Sequence, residues 1–463
     1  MRNLTLAIAV AGVLASAAAN AENVDLYVSG ASAQRTFWKA DMATSICGAN
    51  AQTTYTAAAS SGAAPDDQAY RCTAGIATTG IAIGDQVTLH YSAELGSVWG
   101  IAPFLNSFGG SGYPTARLFV NPDSANCVSG TCTVTSYDAT TETFVGGDAL
   151  VSHVPDVGAT DVDPVNWAFP DNYDVVTYPV LNAVPNSTVV NAFQSSANSK
   201  VVNGQVFEVI TNNASPIAGR GNISRASLTA ILTGQYATWG QVPEVGGGNA
   251  TAITLCRRDH GSGTEVSASV FFTGTECGVL GSSPIASTAA PASLTSVIEN
   301  TTGGKLATCV INNAGAIGFK SVGANTSTTG TYTILNVDGV EANAHNAAAG
   351  SYGFAFETWA YDNTGASGAT TKAANFGKLL ISNARKATSL TSQIEANIAK
   401  SANGQWVATN KNTDRKSNYA VPGGGFGNTK SVANAEVVAT KAVTALGYRS
   451  GSACRVLINS NAL

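Results

Sequence analysis

The stretch Cys256-Arg257-Arg258-Asp259-His260-Gly261-Ser262-Gly263-Thr264-Glu265 gathers arginine, hydroxyl side chains and glycine in one short run. Those residue types suit an oxyanion. Arg258 offers a planar fork of donors. Ser262 and Thr264 add hydroxyls, and the glycines let an anion approach backbone amides. A nucleotide P-loop does not fit, because no Gly-Lys-Ser/Thr follows and no lysine in the turn could reach a terminal phosphate. The expected guest is a small, bare oxyanion. The plain alternative is an ordinary glycine-serine loop.

The flanks supply the element that would position these groups. Ala252-Ile253-Thr254-Leu255 alternates like a strand, and 266–272 reads as a helix, so the glycines fall in a strand-to-helix turn with free amides at the helix start. Similar turns recur. Val24-Asp25-Leu26-Tyr27-Val28 leads through Gly30-Ala31-Ser32-Ala33 into a helical 35–42, offering the Ser32 hydroxyl and the amides of Ser32 and Ala33. The bland reading there is a capped helix with Ser32 as N-cap. Val87 to Ser92 is followed by Gly96-Ser97, where Ser97 is either a ligand donor or a β-turn serine. Asp156-Val157-Gly158-Ala159-Thr160-Asp161-Val162-Asp163 is a short strand ending in two carboxylates, which in turns usually only cap.

Composition bounds the setting. Arg2, the apolar 4–18 and Ala19-Asn20-Ala21 form an export signal, so the mature chain is expected to start at Glu22. The first cysteine is Cys47, which excludes a lipid anchor at a new N-terminus and leaves a soluble periplasmic or secreted product. With the signal gone, 23 basic residues face 29 acidic ones, a formal charge of −6, so no long-range field draws nucleic acid or anionic membrane. Eight cysteines in an oxidising compartment imply disulfides. Proximity in sequence pairs Cys47 with Cys72, Cys127 with Cys132, Cys256 with Cys277, and Cys309 with Cys454. His90, His153, His260 and His345 show no metal spacing, and no cofactor is expected. A hydrolase finds no support either: there is no Gly-x-Ser-x-Gly elbow and no placeable Ser/His/Asp array.

Elsewhere, 49–80 reads as a loop closed by a disulfide, and 103–147 as a surface loop or small β excursion. Val206-Phe207-Glu208-Val209-Ile210-Thr211 is a strand. Ile223 to Gly234 is a helix with a serine cap and a glycine stop, closed by Trp239. Asn313 to Phe319 leads a strand, Tyr352 to Trp359 is β, and 373–387 is helical. Gly423-Gly424-Gly425 reads as a joint before a helical 433–446 and a strand at 454–459. Strands alternating with helices predict an α/β fold with ligand at the strands' carboxyl ends.

In order, Gly30-Ala31-Ser32, Gly96-Ser97, Gly158-Ala159-Thr160-Asp161, Ile223 to Trp239, Arg257-Arg258 with Gly261-Ser262-Gly263-Thr264, and Gly315-Ala316-Ile317-Gly318-Phe319 resemble the phosphate-binding protein of bacterial ABC phosphate uptake. The resemblance implies a two-lobed periplasmic-binding-protein fold of type II, with parallel-rich mixed sheets and two interlobe crossovers, near Val209 and Tyr352. Lobe one is then 22–209 plus 351–463 and lobe two 210–350. It also implies a monomer that binds inorganic phosphate or a similar tetrahedral oxyanion and serves a membrane ABC permease. By the same resemblance Ser32, Ala33, Ser97, Arg258, Ser262, Gly263 and Thr264 donate to the anion. Asp161 accepts from a protonated phosphate and so rejects sulfate.

Three features depart from that pattern. Where the family has an acidic partner for the arginine, this chain has His260, with Asp259 one residue upstream. The insertion at 103–147 and the extension at 399–463 are foreign to the core. They keep open a kinship to secreted, DING-like relatives that use the cleft in an interaction protein.

Overall fold

The computed structural model describes residues 21–59, 66–134, 149–173, 179–273, 296–322, 332–343, 346–347 and 351–384, with short strands at 136–138, 143–145 and beyond 392. The expected export signal, Cys277, His345, the expected joint at Gly423, the expected helix at 433–446 and Cys454 lie outside them.

Strand β1 (Asn23–Gly30) buries Val24, Leu26 and Val28 on one face, as its alternation requires. It runs into helix α1 (Ser32–Met42), which lays Phe37, Trp38 and Met42 into the core. The stretch 49–80 is more than the expected loop. It forms a hairpin of β2 (Thr53–Ala59) and β3 (Asp67–Thr73), because Ala57, Ala69 and Tyr70 find cover that composition alone does not reveal. β4 (Gln86–Ser92) is buried almost throughout and pairs antiparallel with β3 and parallel with β1. The stretch 103–147, read as an insertion, contributes β5 (Arg117–Val120), which pairs antiparallel with β6 (Leu150–His153). β7 (Val157–Thr160) returns to lie parallel to β1.

After helix α2 (Ser187–Ser195), capped by Asn186, comes β8 (Ser199–Asn212), longer than its sequence pattern suggested. Its first part pairs with a late strand described below, while Phe207 to Thr211 pairs with a second group of strands. That group follows helix α3 (Arg225–Leu232), whose N-cap Ser224 accepts from the Ser227 amide. It contains β9 (Thr254–Arg258), leading to helix α4 (Gly263–Ala268); β10 (Ser296–Asn300); helix α5 (Gly303–Asn312); β11 (Ala316–Ser321); and β12 (Tyr332–Val337). β9 lies parallel to both β10 and β11, and β8 lies antiparallel to β11 and β12. The chain then returns as β13 (Ala355–Asp362), antiparallel to β7 and to the first part of β8, and ends its described core in helix α6 (Thr371–Ala384). The protein is thus mixed α/β, with parallel and antiparallel strands in one extended sheet system joined through β8.

At the register shift between Val201 and Gly204, Asn203 exchanges amide hydrogen bonds with Gln34 of α1 (3.2 and 3.3 Å) and accepts one from Thr358 Oγ1 (2.6 Å). Just beyond, the Glu208 and Lys320 pair is buried at 2.5 Å. The Tyr352 hydroxyl donates to the Phe207 carbonyl at 2.8 Å.

Disulfides Cys47–Cys72 and Cys127–Cys132 match expectation, but Cys256 joins Cys309. Sequence proximity misled here: the crossover from β10 through α5 to β11 returns Cys309 over β9, with Cα atoms 6.0 Å apart across a separation of 53 residues. Both predicted pairings of these two cysteines are therefore wrong. No described helix is long and apolar enough to cross a membrane.

Candidate oxyanion site

The central turn has the predicted form. β9 ends at Arg258, Gly261 takes a positive φ of 85°, and Ser262 is the N-cap of α4 in extended conformation, with no capping bond from its side chain. Thr264 lies buried in the first turn of α4. The Gly261 amide donates to the Asn172 carbonyl (2.9 Å), and the Gly261 carbonyl accepts from the Val98 amide (3.0 Å). That last bond ties this turn to the one bearing Ser97.

Ser97 opens a short 3-10 turn, Ser97–Gly100, behind Leu95 and Gly96, both left-handed at φ 61° and 80°. Its hydroxyl donates to Asp161 Oδ1, which lies just past β7. Gly263 closes on the same pair: a Cβ there would overlap Asp161 Oδ1 and stand 2.8 Å from Ser97 Oγ. Three predicted residues from three separate turns therefore meet at one point. Burial pushes the Asp161 carboxyl up, and the Ser97 hydrogen bond and the Arg258 charge pull it back.

Arg258 is buried and anchored. Nε donates to the Asn300 carbonyl (3.0 Å), Nη2 donates to the Thr301 carbonyl (2.9 Å), and the guanidinium pairs with Asp259 Oδ1 at 3.2 Å. Asp259, one position upstream of the expected acidic residue, thus takes the arginine itself. Burial raises its carboxyl to about 6 despite that cation. His260 is half-buried.

Ser32 and Ala33 form the first turn of α1 and are half-buried. Ala31 rather than Ser32 is the N-cap, so the capping alternative for Ser32 does not hold, and no side chain caps the helix. This turn adjoins the others through glycine contacts. The Ala31 amide donates to the Ala159 carbonyl (2.8 Å), and a Cβ on Gly30 (φ 120°) would overlap that carbonyl oxygen and crowd Gly100.

Sequence reasoning missed the groups behind the Ser97 turn. Asp67 and Glu94 are buried, and that burial raises each carboxyl to about 7. Arg117 donates to the Glu94 carbonyl, and its charge pulls both carboxyls back down. The only signal was an arginine in a stretch with few charges. Among the described residues, no cluster of His, Cys, Asp or Glu is placed to hold a metal ion.

No family model matches the sequence, and no curated protein matches it. Solved structures do. One is an ABC-type phosphate transport receptor from Vibrio cholerae, at 17% identity over 49% of this chain and 74% of that one, TM-score 0.31. A putative phosphate ABC transporter substrate-binding protein with bound phosphate, from Clostridium perfringens, matches at 14% over 77% and 92%, TM-score 0.40. PstS from Borrelia burgdorferi matches at 12% over 78% and 92%, TM-score 0.36.

Proposed function

We propose that this chain is an exported solute-binding protein that takes inorganic phosphate, or a tetrahedral oxyanion of the same chemistry, into a cleft between two lobes and delivers it to a membrane permease. The observation that carries this reading is the meeting of Ser97, Asp161 and Gly263 beside the buried Arg258. A lone carboxylate beside a dianion repels it unless a ligand proton lies between them. Monohydrogen phosphate supplies that proton, and sulfate near neutral pH has none to give. Once the ligand donates to Asp161, the Ser97 hydroxyl is released to donate to an anion oxygen. The amides of Ser32, Ala33, Gly263 and Thr264 and the hydroxyls of Ser32, Ser262 and Thr264 complete the donor set.

The passage of β8 from one group of strands to the other, and the return at β13, support a division into 22–209 with 351–463 and 210–350. Titration of the mature chain with phosphate, arsenate, sulfate and molybdate is the test. Phosphate and arsenate should bind and raise the melting temperature, with sulfate excluded. No heat and no thermal shift with millimolar phosphate would remove the reading.

A further inference from the structure

Strand β5 lies in the stretch read as an insertion foreign to the binding core, yet it sends Arg117 beneath the Ser97 turn. Arg117 is only 2% exposed. Its guanidinium carbon lies 3.8 Å from the ring centroid of Trp99. Nη2 donates to the Glu94 carbonyl at 3.0 Å and to the Ser92 hydroxyl at 3.2 Å. These contacts bracket the turn: Ser92 ends β4, Glu94 directly precedes the left-handed Leu95, and Trp99 lies within Ser97–Gly100.

We infer that Arg117 is a positioning residue for the oxyanion site, and that the insertion is part of the binding machinery because it holds the Ser97 hydroxyl where Asp161 and Gly263 meet it. The inference rests on the phosphate reading of that site. Leu95 occupies a backbone region that L-residues with a Cβ avoid, so the turn keeps this shape only while its surroundings impose it. Arg117 supplies that constraint at the carbonyl just before Leu95. A planar guanidinium can lay its face on an indole while its in-plane N–H groups donate, whereas an ammonium has no such face.

The charges around Arg117 make the role measurable. Asp67 and Glu94 feel its cation. Glu94 also accepts from the Asp66 amide at 2.5 Å, and Asp66 accepts from Arg35 of α1 at 2.6 Å, so the network reaches the helix that begins at Ser32. Asp259, the partner of Arg258, is near enough to act on Glu94. Asp67 and Glu94 titrate near neutrality, and a bound anion favours their protonated forms. Affinity should therefore fall as pH rises through about 7.

The experiment is calorimetric titration of the mature full chain with inorganic phosphate from pH 5.5 to 8.5, corrected for phosphate's own titration, in native protein, Arg117→Gln, Arg117→Lys and Arg117→Gln with Leu95→Gly. Arg117→Gln should bind about tenfold or more weakly. Its pH midpoint should move upward, because the carboxyls lose the cation that keeps them ionised. Arg117→Lys should restore the midpoint but only part of the affinity. Leu95→Gly should recover part of the affinity lost in Arg117→Gln, since glycine accepts the turn without help. Native binding together with an Arg117→Gln protein of unchanged affinity and midpoint overturns the inference alone. If Arg117→Gln does not fold, Arg117→Lys with native affinity overturns it. Absence of phosphate binding in the native chain overturns the parent reading and this inference with it.

Discussion

On one side of the candidate site, Ser97 sits above ionisable groups, Asp67, Glu94 and Arg117. On the other side, Arg258 is fixed by the carbonyls of Asn300 and Thr301, and its strand is stapled to α5 by Cys256–Cys309. The first support changes with protonation. The second is made largely of backbone and a covalent bond, with Asp259 as the ion-pair partner of Arg258. The contrast teaches that the two sides are held by different means, carboxyls raised to about 7 behind Ser97 and backbone carbonyls with a covalent staple behind Arg258.

The largest expected effect breaks the covalent half. Replacing Cys256 and Cys309 together by alanine opens a loop of 53 residues, which by chain entropy costs roughly 4 kcal/mol of stability. Urea unfolding should show that loss at every pH between 5.5 and 8. A loss that appeared at only one end of the range would blur the contrast. Gly263→Ala comes next, because its methyl group would overlap Asp161 Oδ1. It should cost about 1–3 kcal/mol of stability and abolish measurable phosphate binding. A variant that still bound phosphate would show that the three turns do not form one site.

Thr264→Val should weaken phosphate binding by roughly 1.5–3 kcal/mol, the value of a charge-assisted hydrogen bond, with little change in unfolding. An unchanged dissociation constant would place Thr264 outside the donor set. Asp161→Asn should lose less phosphate affinity than it loses discrimination against sulfate. If sulfate stays excluded, Asp161 serves the turn and not selectivity.

The smallest effect sharpens the ionisable half. Asp67 and Glu94, raised to about 7, keep their protons in the folded chain after the unfolded chain has released them near pH 4. Their contribution to stability is therefore full below about pH 4 and is lost as pH rises to about 7. The ligand-free melting temperature should be a few degrees higher at pH 5.5 than at pH 8. Asp67→Asn should flatten that slope, and a slope that survived unchanged would assign it to other groups.

What could be read from the sequence was local. The run from Thr254 to Thr264 announces strand, turn and helix within a dozen residues, and the glycines mark where backbones touch. β1 and β4 were legible for the same reason, because their apolar pattern lies in consecutive positions. Relations set by the crossovers were not. Cys309 reaches Cys256 only after two elements have intervened, and Arg117 reaches the Ser97 turn from within a stretch that reads as surface loop. The hairpin of β2 and β3 was hidden because alanine and threonine suit a loop as well as an edge of sheet. Asp259, one place away from the expected position, takes Arg258 because side-chain reach, not alignment to a pattern, decides an ion pair.

The fourteen-residue strand β8 has a consequence for how the molecule comes apart. Its first half is zipped to β13 and its second to β11 and β12, so neither group of strands can melt without stripping one flank of the same segment. Two bodies joined by a slack tether would give two calorimetric peaks. Here the shared segment couples them, and a single endotherm with a van't Hoff enthalpy close to the calorimetric one is expected.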